Sequence, residues 1–460
     1  MVSIPSRITL LPRTVKVAVL IVFLIISGLF FSSASWDTYD RFTLRPFDSS
    51  STSGYPTSNY PPKPISHSDQ DKVLVVSAFF PLPKSNHQIS DYEAWISYFL
   101  STVKTDIYFY TPPNMVSMIR RLRGDLPIYI NSSYSSPFDV PPMQGLEEDY
   151  ILMNKSSKFS HRAVHHHAMS AIWNSKPFFM DEAMRHAPDT SLAFGRKDKH
   201  YEYVFWSDAG GMREPNFYEH WPEYNRVDAL WEEARKLSGY MIQKDEFFFI
   251  PIAEMGSWGK YKDEGRSWKD VHGPANPGQV PWSEGSFLGG QPSAISWFRE
   301  IYYTYHNAWL AEAMFVGVDQ DLFSAIMLLY SHRFITVWLT DPEAPARHHT
   351  SVPEAAGSSD RWSPLGACGA HWYYYEWFLS DGETRDKMRD KWIGQIEEPQ
   401  NQPVQGNWDG WWKGSNACRL TNLIWLQQLL KRELGDSWIT PEATLANLEN
   451  PKPKNIKWVP

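Results

Sequence analysis

Cysteine is almost missing from this chain: only Cys368 and Cys418 occur in 460 residues. That leaves room for one disulfide at most, whose loop of about 51 residues would add roughly 4 kcal/mol if closed in an oxidising compartment. Two reduced, buried thiols are the other reading of the pair. Basic runs are also missing, and the net charge is −8. This excludes a nucleic-acid binder, whose footprint is a basic patch or stripe. There is no internal repeat and hence no solenoid. The glycine-rich segments lack the Gly-Lys-Ser/Thr of a phosphate-binding P-loop. His161 and His165 share a helical face, but no glutamate follows His161 in the order a zinc protease requires. The triplet His165–His167 points three ways on a helix and cannot hold one ion.

Aromatic residues, by contrast, are plentiful: 22 Trp, 23 Tyr and 25 Phe. Such rings fill cores and also serve as stacking platforms for sugars. One long hydrophobic run stands out, Val17–Phe31, limited by Val15 and Ala34. Its twenty or so residues are enough for roughly 30 Å of hydrocarbon. Arg7, Arg13 and Lys16 precede it, and Asp37 and Asp40 follow. This predicts a cytoplasmic tail at 1–14, a signal anchor at 15–34 and a body in the secretory lumen. A cleaved signal peptide ending among Ser32–Ser35 is the competing reading. Ser-, Pro- and Thr-rich sequence at 35–71 reads as a flexible stem. Asn131-Ser-Ser and Asn154-Lys-Ser are glycosylation sequons that suit a lumenal body.

The body begins at Lys72–Phe80, a continuous apolar run of the kind that forms a buried parallel strand. A helix is predicted from Ser90, with Glu93 completing a capping box. Strands at 106–110 and 128–130 follow. A helical stretch at 160–186 is predicted to break at Lys176-Pro177. Further strands are expected at 203–206, 247–252 and 335–339, and helices at 226–237, 293–315, 320–329 and 420–434. Strand and helix alternate as in an α/β layer with right-handed crossovers.

Tyr203–Arg213 is the most telling segment. A short buried strand ends in Asp208, Gly210, Gly211 and Arg213. Ligands in open α/β sheets sit beyond the carboxyl ends of the strands, which sets Asp208 in a cleft. An acid there suits a hard divalent cation together with substrate phosphates. Breaking a bond to a nucleoside diphosphate also demands fixed positive charge, for which Arg213 and Lys176 are candidates. Gly285–Gly290 reads as a loop walling the sugar pocket, with Phe287 and Leu288 anchoring it and Glu284 beside it as a base. Asp319 and Asp321 open a predicted helix, as caps or as a second source of the base. Each has a plainer reading: an Asx-turn at Asp208, a surface pair of Arg213 with Glu214 or Glu219, and a solvated Lys176.

Five segments taken in order resemble the HtrL/YibB family, a set similar to GT-A glycosyltransferases. They are Val75–Phe79, Ala171–Phe179, Phe205–Gly210, Gly285–Gly290 and Asp319–Asp321. The resemblance covers about 73–341, leaving 342–460 as a C-terminal extension packed on the same domain. It implies a GT-A-like, mixed, mostly parallel sheet flanked by helices. It also implies a nucleotide-sugar donor received by Ser77, Ala78 and Phe79, with Gly285, Gly289 and Gly290 near the sugar. The family's Trp-x-Asp-Ala-Gly stands where GT-A enzymes keep an Asp-x-Asp metal motif, so the resemblance matches Asp208 to the first acid of that motif, and Gly210 replaces the second. A manganese or magnesium ion would then need another ligand, for which His348 is the candidate. The expectation is a Golgi glycosyltransferase, anchored by one N-terminal helix and acting on a glycan or glycoprotein. A catalytically silent relative serving as a scaffold and a glycoside hydrolase are the rival readings.

Overall fold

The computed structural model describes residues 71–82, 89–156, 165–186, 200–252, 283–338, 341, 373–397, 421–440 and short pieces from 443 to 458, with side chains described only to 392 in the 373–397 piece. The expected anchor at 15–34, the stem before 71, Cys368, Cys418 and His348 lie outside these residues. Among the described residues no helix is long and apolar enough to cross a membrane. The described residues belong to one unit, Pro64–Pro460.

The expected strand–helix alternation gives β1 (Val73–Ala78), α1 (Ile89–Thr102), β2 (Asp106–Tyr110), α2 (Val116–Arg123), β3 (Ile128–Asn131), α3 (Glu147–Lys155), α4 (His167–Arg185) and β4 (Tyr203–Ser207). The later elements are α5 (Tyr224–Leu237), β5 (Phe248–Phe249), β6 (Phe287–Gly290), α6 (Pro292–Ala311), α7 (Asp319–Leu329) and β7 (Phe334–Thr336). Then come α8 (Tyr374–Phe378), α9 (Gly382–Glu397), β8 (Ile424–Trp425) and α10 (Leu426–Leu434). The eight strands form one mixed sheet in the order β3-β2-β1-β4-β6-β5-β7-β8. β3, β2, β1 and β4 run parallel, while β6 and β8 pair antiparallel with their neighbours. Val75 sits between Ile107 of β2 and Phe205 of β4.

Alternate side chains along a strand face opposite sides, and both sides are apolar here. Leu74, Val76, Val204, Trp206 and Leu288 pack in one layer with α4, α6 and α7. Val73, Val75, Phe205 and Phe287 pack in the other with α1, α5 and α8. Burial on both faces explains why β1 reads as an unbroken apolar run.

Three local expectations change. Helix α1 starts before Ser90, so that residue lies inside the first turn rather than capping it, and Glu93 pairs with Arg121 of α2 at 2.8 Å. Helix α4 runs through Lys176-Pro177 without a break. An interior proline costs a helix about 3 kcal/mol, but Phe178, Phe179 and Met180 are buried just beyond it, and each is worth about 1.5–3 kcal/mol when fully buried. Packing outweighs the missing amide.

The third change concerns Gly285–Gly290, predicted as a loop. Phe287–Gly290 is strand β6, inserted between β4 and β5. A Cβ on Gly289 would lie 2.6 and 2.8 Å from Phe205 side-chain and Cα atoms and would press on the Val204 carbonyl. One on Gly290 would lie 2.7 Å from the Phe247 carbonyl. These glycines let strands approach rather than lining a sugar pocket. Gly289→Ala is therefore expected to destabilise the protein by about 1–3 kcal/mol through overpacking. An unchanged denaturation midpoint would contradict that account.

Candidate functional site

From β1 the chain steps outward to β2 and β3, then returns to the other side of β1 as β4. Neighbouring crossovers thus diverge between β1 and β4, leaving a crevice beyond their carboxyl ends. A cleft of about 570 Å³ lies there. Ala78 at the end of β1 and Phe79–Leu82 after it reach into it, Asn114 and Met115 come from beyond β2, and Asp208–Gly211 with Arg213 come from beyond β4. Ile172, Trp173 and Lys176 of α4 form another side, and Tyr373 closes it from beyond residue 342.

Asp208 faces this cleft with its side chain 36% exposed. Its amide donates to the Ser286 carbonyl at 2.9 Å, tying the β4 tip to the start of β6. The carboxylate does not close an Asx-turn: Oδ1 accepts from Trp206 Nε1 at 2.6 Å and lies 3.4 Å from Lys176 Nζ. The turn is closed instead by the Gly211 amide donating to the Asp208 carbonyl at 2.9 Å.

Lys176 is the largest departure from the sequence reading. It is 2% exposed, and its ammonium donates to the Gly285 carbonyl at 2.7 Å and pairs with Asp319 Oδ2 at 2.9 Å. Burial works to lower its pKa, but Asp208 and Asp319 outweigh that and hold it above the ordinary lysine value. Gly285 leaves room for the cluster, since a Cβ there would lie 3.1 Å from a Gln320 side-chain carbon and 3.3 Å from both Asp319 carboxylate oxygens. Burial raises the Asp319 carboxyl, and Lys176 draws it back. Asp321 is also buried, and with Asp319 it reinforces the burial that keeps Tyr302 neutral.

Glu284 lies behind the same ammonium, buried, with Oε1 accepting from the Ser286 amide at 2.9 Å. Its carboxyl is pushed from 4.5 up to about 7, chiefly by burial; the Ser286 contacts and Lys176 oppose this and Asp208 adds to it. A folded-state value above the unfolded one stabilises the protein below about pH 4.5, and that contribution is lost as pH rises through about 7. Glu284→Gln should therefore relieve a pH-dependent loss of about 3 kcal/mol across that window. Unfolding free energies of the two proteins that differ by a constant from pH 4.5 to 8 would refute this.

Arg213 is exposed at the rim, with its guanidinium 3.9 Å over the Trp95 ring and 5.8 Å over Tyr373. The expected surface partners are engaged elsewhere: Glu214 with Lys391 and Trp392, and Glu219 with Lys104. Phe79 and Tyr92 lie tilted with ring centres 5.6 Å apart, and Tyr92 meets Trp95 edge-on at 5.4 Å, continuing this aromatic rim.

Two other expectations fail on geometry. Ser77 is fully buried and donates to the Ser207 carbonyl at 2.7 Å, so it links β1 to β4 and faces no ligand. Asn131 is a poor glycan acceptor, because its amide is buried, donates to Tyr108 Oη at 3.1 Å and accepts from the Ser133 amide. Asn154, in the last turn of α3, is partly exposed and donates to the His165 carbonyl at 3.1 Å. His166 caps α4 through Nδ1.

Sequence reasoning missed Glu376 and Tyr373. Glu376 is buried on α8, with Oε1 3.5 Å from where a Gly211 Cβ would stand. Burial, with Glu214 adding and Arg213 opposing, pushes it to about 8. Beside it Tyr375 Oη lies 3.0 Å from Ser286 Oγ. No motif marks these residues, which lie in the loop-rich extension; only the Tyr-Tyr-Tyr-Glu-Trp-Phe aromatic density hints at burial.

Among the described residues the donor set of the cleft does not make a divalent-cation centre, and His348, the expected further ligand, lies outside them. No group of three His, Cys, Asp or Glu able to hold an ion occurs among the described residues. Asp208 has one oxygen bound to Trp206 and an ammonium 3.4 Å away, and Gly210 brings no second carboxylate.

No protein-family model matches this chain, and no curated protein matches it. Among solved structures, the apo form of mouse xyloside xylosyltransferase 1 is similar over 57% of this chain and 84% of that one, at 13% identity and a TM-score of 0.32. So loose a superposition carries no argument about the site; the sheet order and the cleft do.

Proposed function

We propose that this chain is a GT-A-like glycosyltransferase of the HtrL/YibB kind, moving a sugar from a nucleotide donor to a glycan or glycoprotein in the secretory lumen, anchored by the helix expected at 15–34. The observation that carries the reading is the meeting of Asp208, Lys176 and Arg213 in one aromatic-rimmed cleft at the switch point between β1 and β4. Glycosyl transfer needs fixed positive charge beside the departing diphosphate, which Arg213 at the rim and Lys176 at the floor supply. It needs a platform for flat or apolar groups, which Phe79, Tyr92 and Trp173 supply. Asp208 accepts hydrogen bonds from hydroxyls of the donor sugar. Glu284, buried behind Lys176 and bonded to the Ser286 amide, does not line the cleft and supports the floor rather than meeting the substrate.

A hydrolase requires two carboxyl groups facing each other across the sugar, about 5–10 Å apart. Among the described residues lining the cleft, Asp208 is the single acid. That favours transfer. Calorimetric titration of the purified full-length chain with uridine and guanosine diphosphates and their sugars tests the proposal. Binding of one nucleoside diphosphate and turnover of its sugar are expected; binding without turnover identifies a scaffold. No heat from any nucleotide rejects the proposal.

A further inference from the structure

The donor set of this cleft points away from a metal-assisted diphosphate site, and the same residues provide a substitute. We infer that donor binding here needs no divalent cation, because the ammonium of Lys176 and the guanidinium of Arg213 take its place. The inference rests on the transferase reading and specifies how that site handles phosphate charge.

Asp208 is the one carboxylate among the described residues of the cleft wall, and its Oδ1 is already bonded to Trp206 Nε1 at 2.6 Å. Lys176 Nζ lies 3.4 Å from the same oxygen. A divalent ion on Asp208 would be pressed against a buried like charge, with Gly210 offering no second ligand. Like charges at such range in a poorly solvated setting repel strongly. The ammonium, by contrast, is built in. It is 2% exposed, anchored by the Gly285 carbonyl at 2.7 Å and by Asp319 at 2.9 Å. An ammonium has three hydrogens. The Gly285 carbonyl accepts one of them, while Asp319 and Asp208 stand at 2.9 and 3.4 Å as ion-pair partners. Asp208 is the more distant of the two partners and lines the cleft together with Lys176, so a phosphoryl oxygen entering there takes its place beside the ammonium.

Arg213 supplies the second charge from the rim, over Trp95 and Tyr373. Among the described residues it forms no ion pair, and its guanidinium carbon lies 3.9 Å from the centre of the Trp95 ring. An aromatic contact takes none of its N–H donors, which are left to grip phosphate in a bidentate manner. Asp208 itself opposes a diphosphate, so its retention suits a contact to sugar hydroxyls rather than to phosphate.

The test is calorimetric titration of the full-length chain with uridine diphosphate, guanosine diphosphate and inorganic pyrophosphate, each in excess EDTA and again in excess manganese. The expected result is a Kd that agrees within about threefold between the two conditions. Heat seen only with manganese overturns this inference and leaves the transferase reading standing; no nucleotide heat in either condition overturns both. Lys176→Met combined with Asp319→Asn removes the ammonium while keeping the buried charge balanced. That variant should bind at least about tenfold more weakly in EDTA. Arg213→Gln changes an exposed side chain that the fold does not need, and should weaken binding by at least about fivefold in EDTA. Wild-type affinity in either variant overturns the assignment. Asp208→Asn keeps the Trp206 contact and removes the opposing charge, so pyrophosphate should bind as tightly or more tightly; loss of its binding would restore a metal to the site.

Discussion

Lys176→Ala is expected to destabilise the protein by about 3–5 kcal/mol, the usual cost of breaking a buried ion pair from one side. The loss is a large fraction of the roughly 5–15 kcal/mol that holds a domain folded. Its origin is not the lysine's own packing. Asp319 is 3% exposed and would be left with a carboxylate in an apolar setting between α7 and β6. Such a group escapes by taking up a proton, so the penalty should be greater at pH 8 than at pH 5. Asp319→Asn in the same background removes the orphaned charge and should recover more than half of the loss. Chemical denaturation of the two variants at both pH values is the measurement. A single-mutant loss below about 1 kcal/mol, within the range of exposed pairs, would show that the cluster is not the buried salt bridge described above.

Asp208→Asn is expected to lower transfer by about 10²–10³-fold, the size typical of removing one preorganised polar contact in an active site. The substitution keeps an acceptor for Trp206 Nε1 and the shape of the β4 tip, so the fold should be unaffected. What disappears is the negative charge, and with it the strong acceptor for donor hydroxyls and the partner that positions Lys176 at 3.4 Å. The effect should fall on kcat more than on KM, because diphosphate binding rests on Arg213 and Lys176. Measured kcat within about threefold of wild type would remove Asp208 from the chemistry.

Much of the layer architecture was legible before any coordinates. β1, β2 and β4 are apolar on both faces, and such runs have few alternatives to a doubly covered parallel strand. Asp208 was legible for the same reason: it is the first polar residue after a buried strand. The helix across Pro177 was not, because a local breaker gives no sign of the packing that overrides it. Nor was β6. Its glycines look like a turn, and the crowding of Val204, Phe205 and Phe247 that explains them comes from strands brought together only in the folded chain.

The site divides along the same line. Residue types and their order along the chain were enough to establish an α/β layer with an acid, two glycines and an arginine at one strand's end, because burial and turn chemistry act over a few neighbouring residues. The burial of Lys176, its engagement by Asp319 and by the Gly285 carbonyl, and the arrival of Tyr373 beside Arg213 and of Glu376 beside Gly211 emerged only once the chain had closed on itself. These contacts join positions more than a hundred residues apart. Whether a lysine is solvated or an ion-paired floor depends on which distant carboxylate packing carries to it.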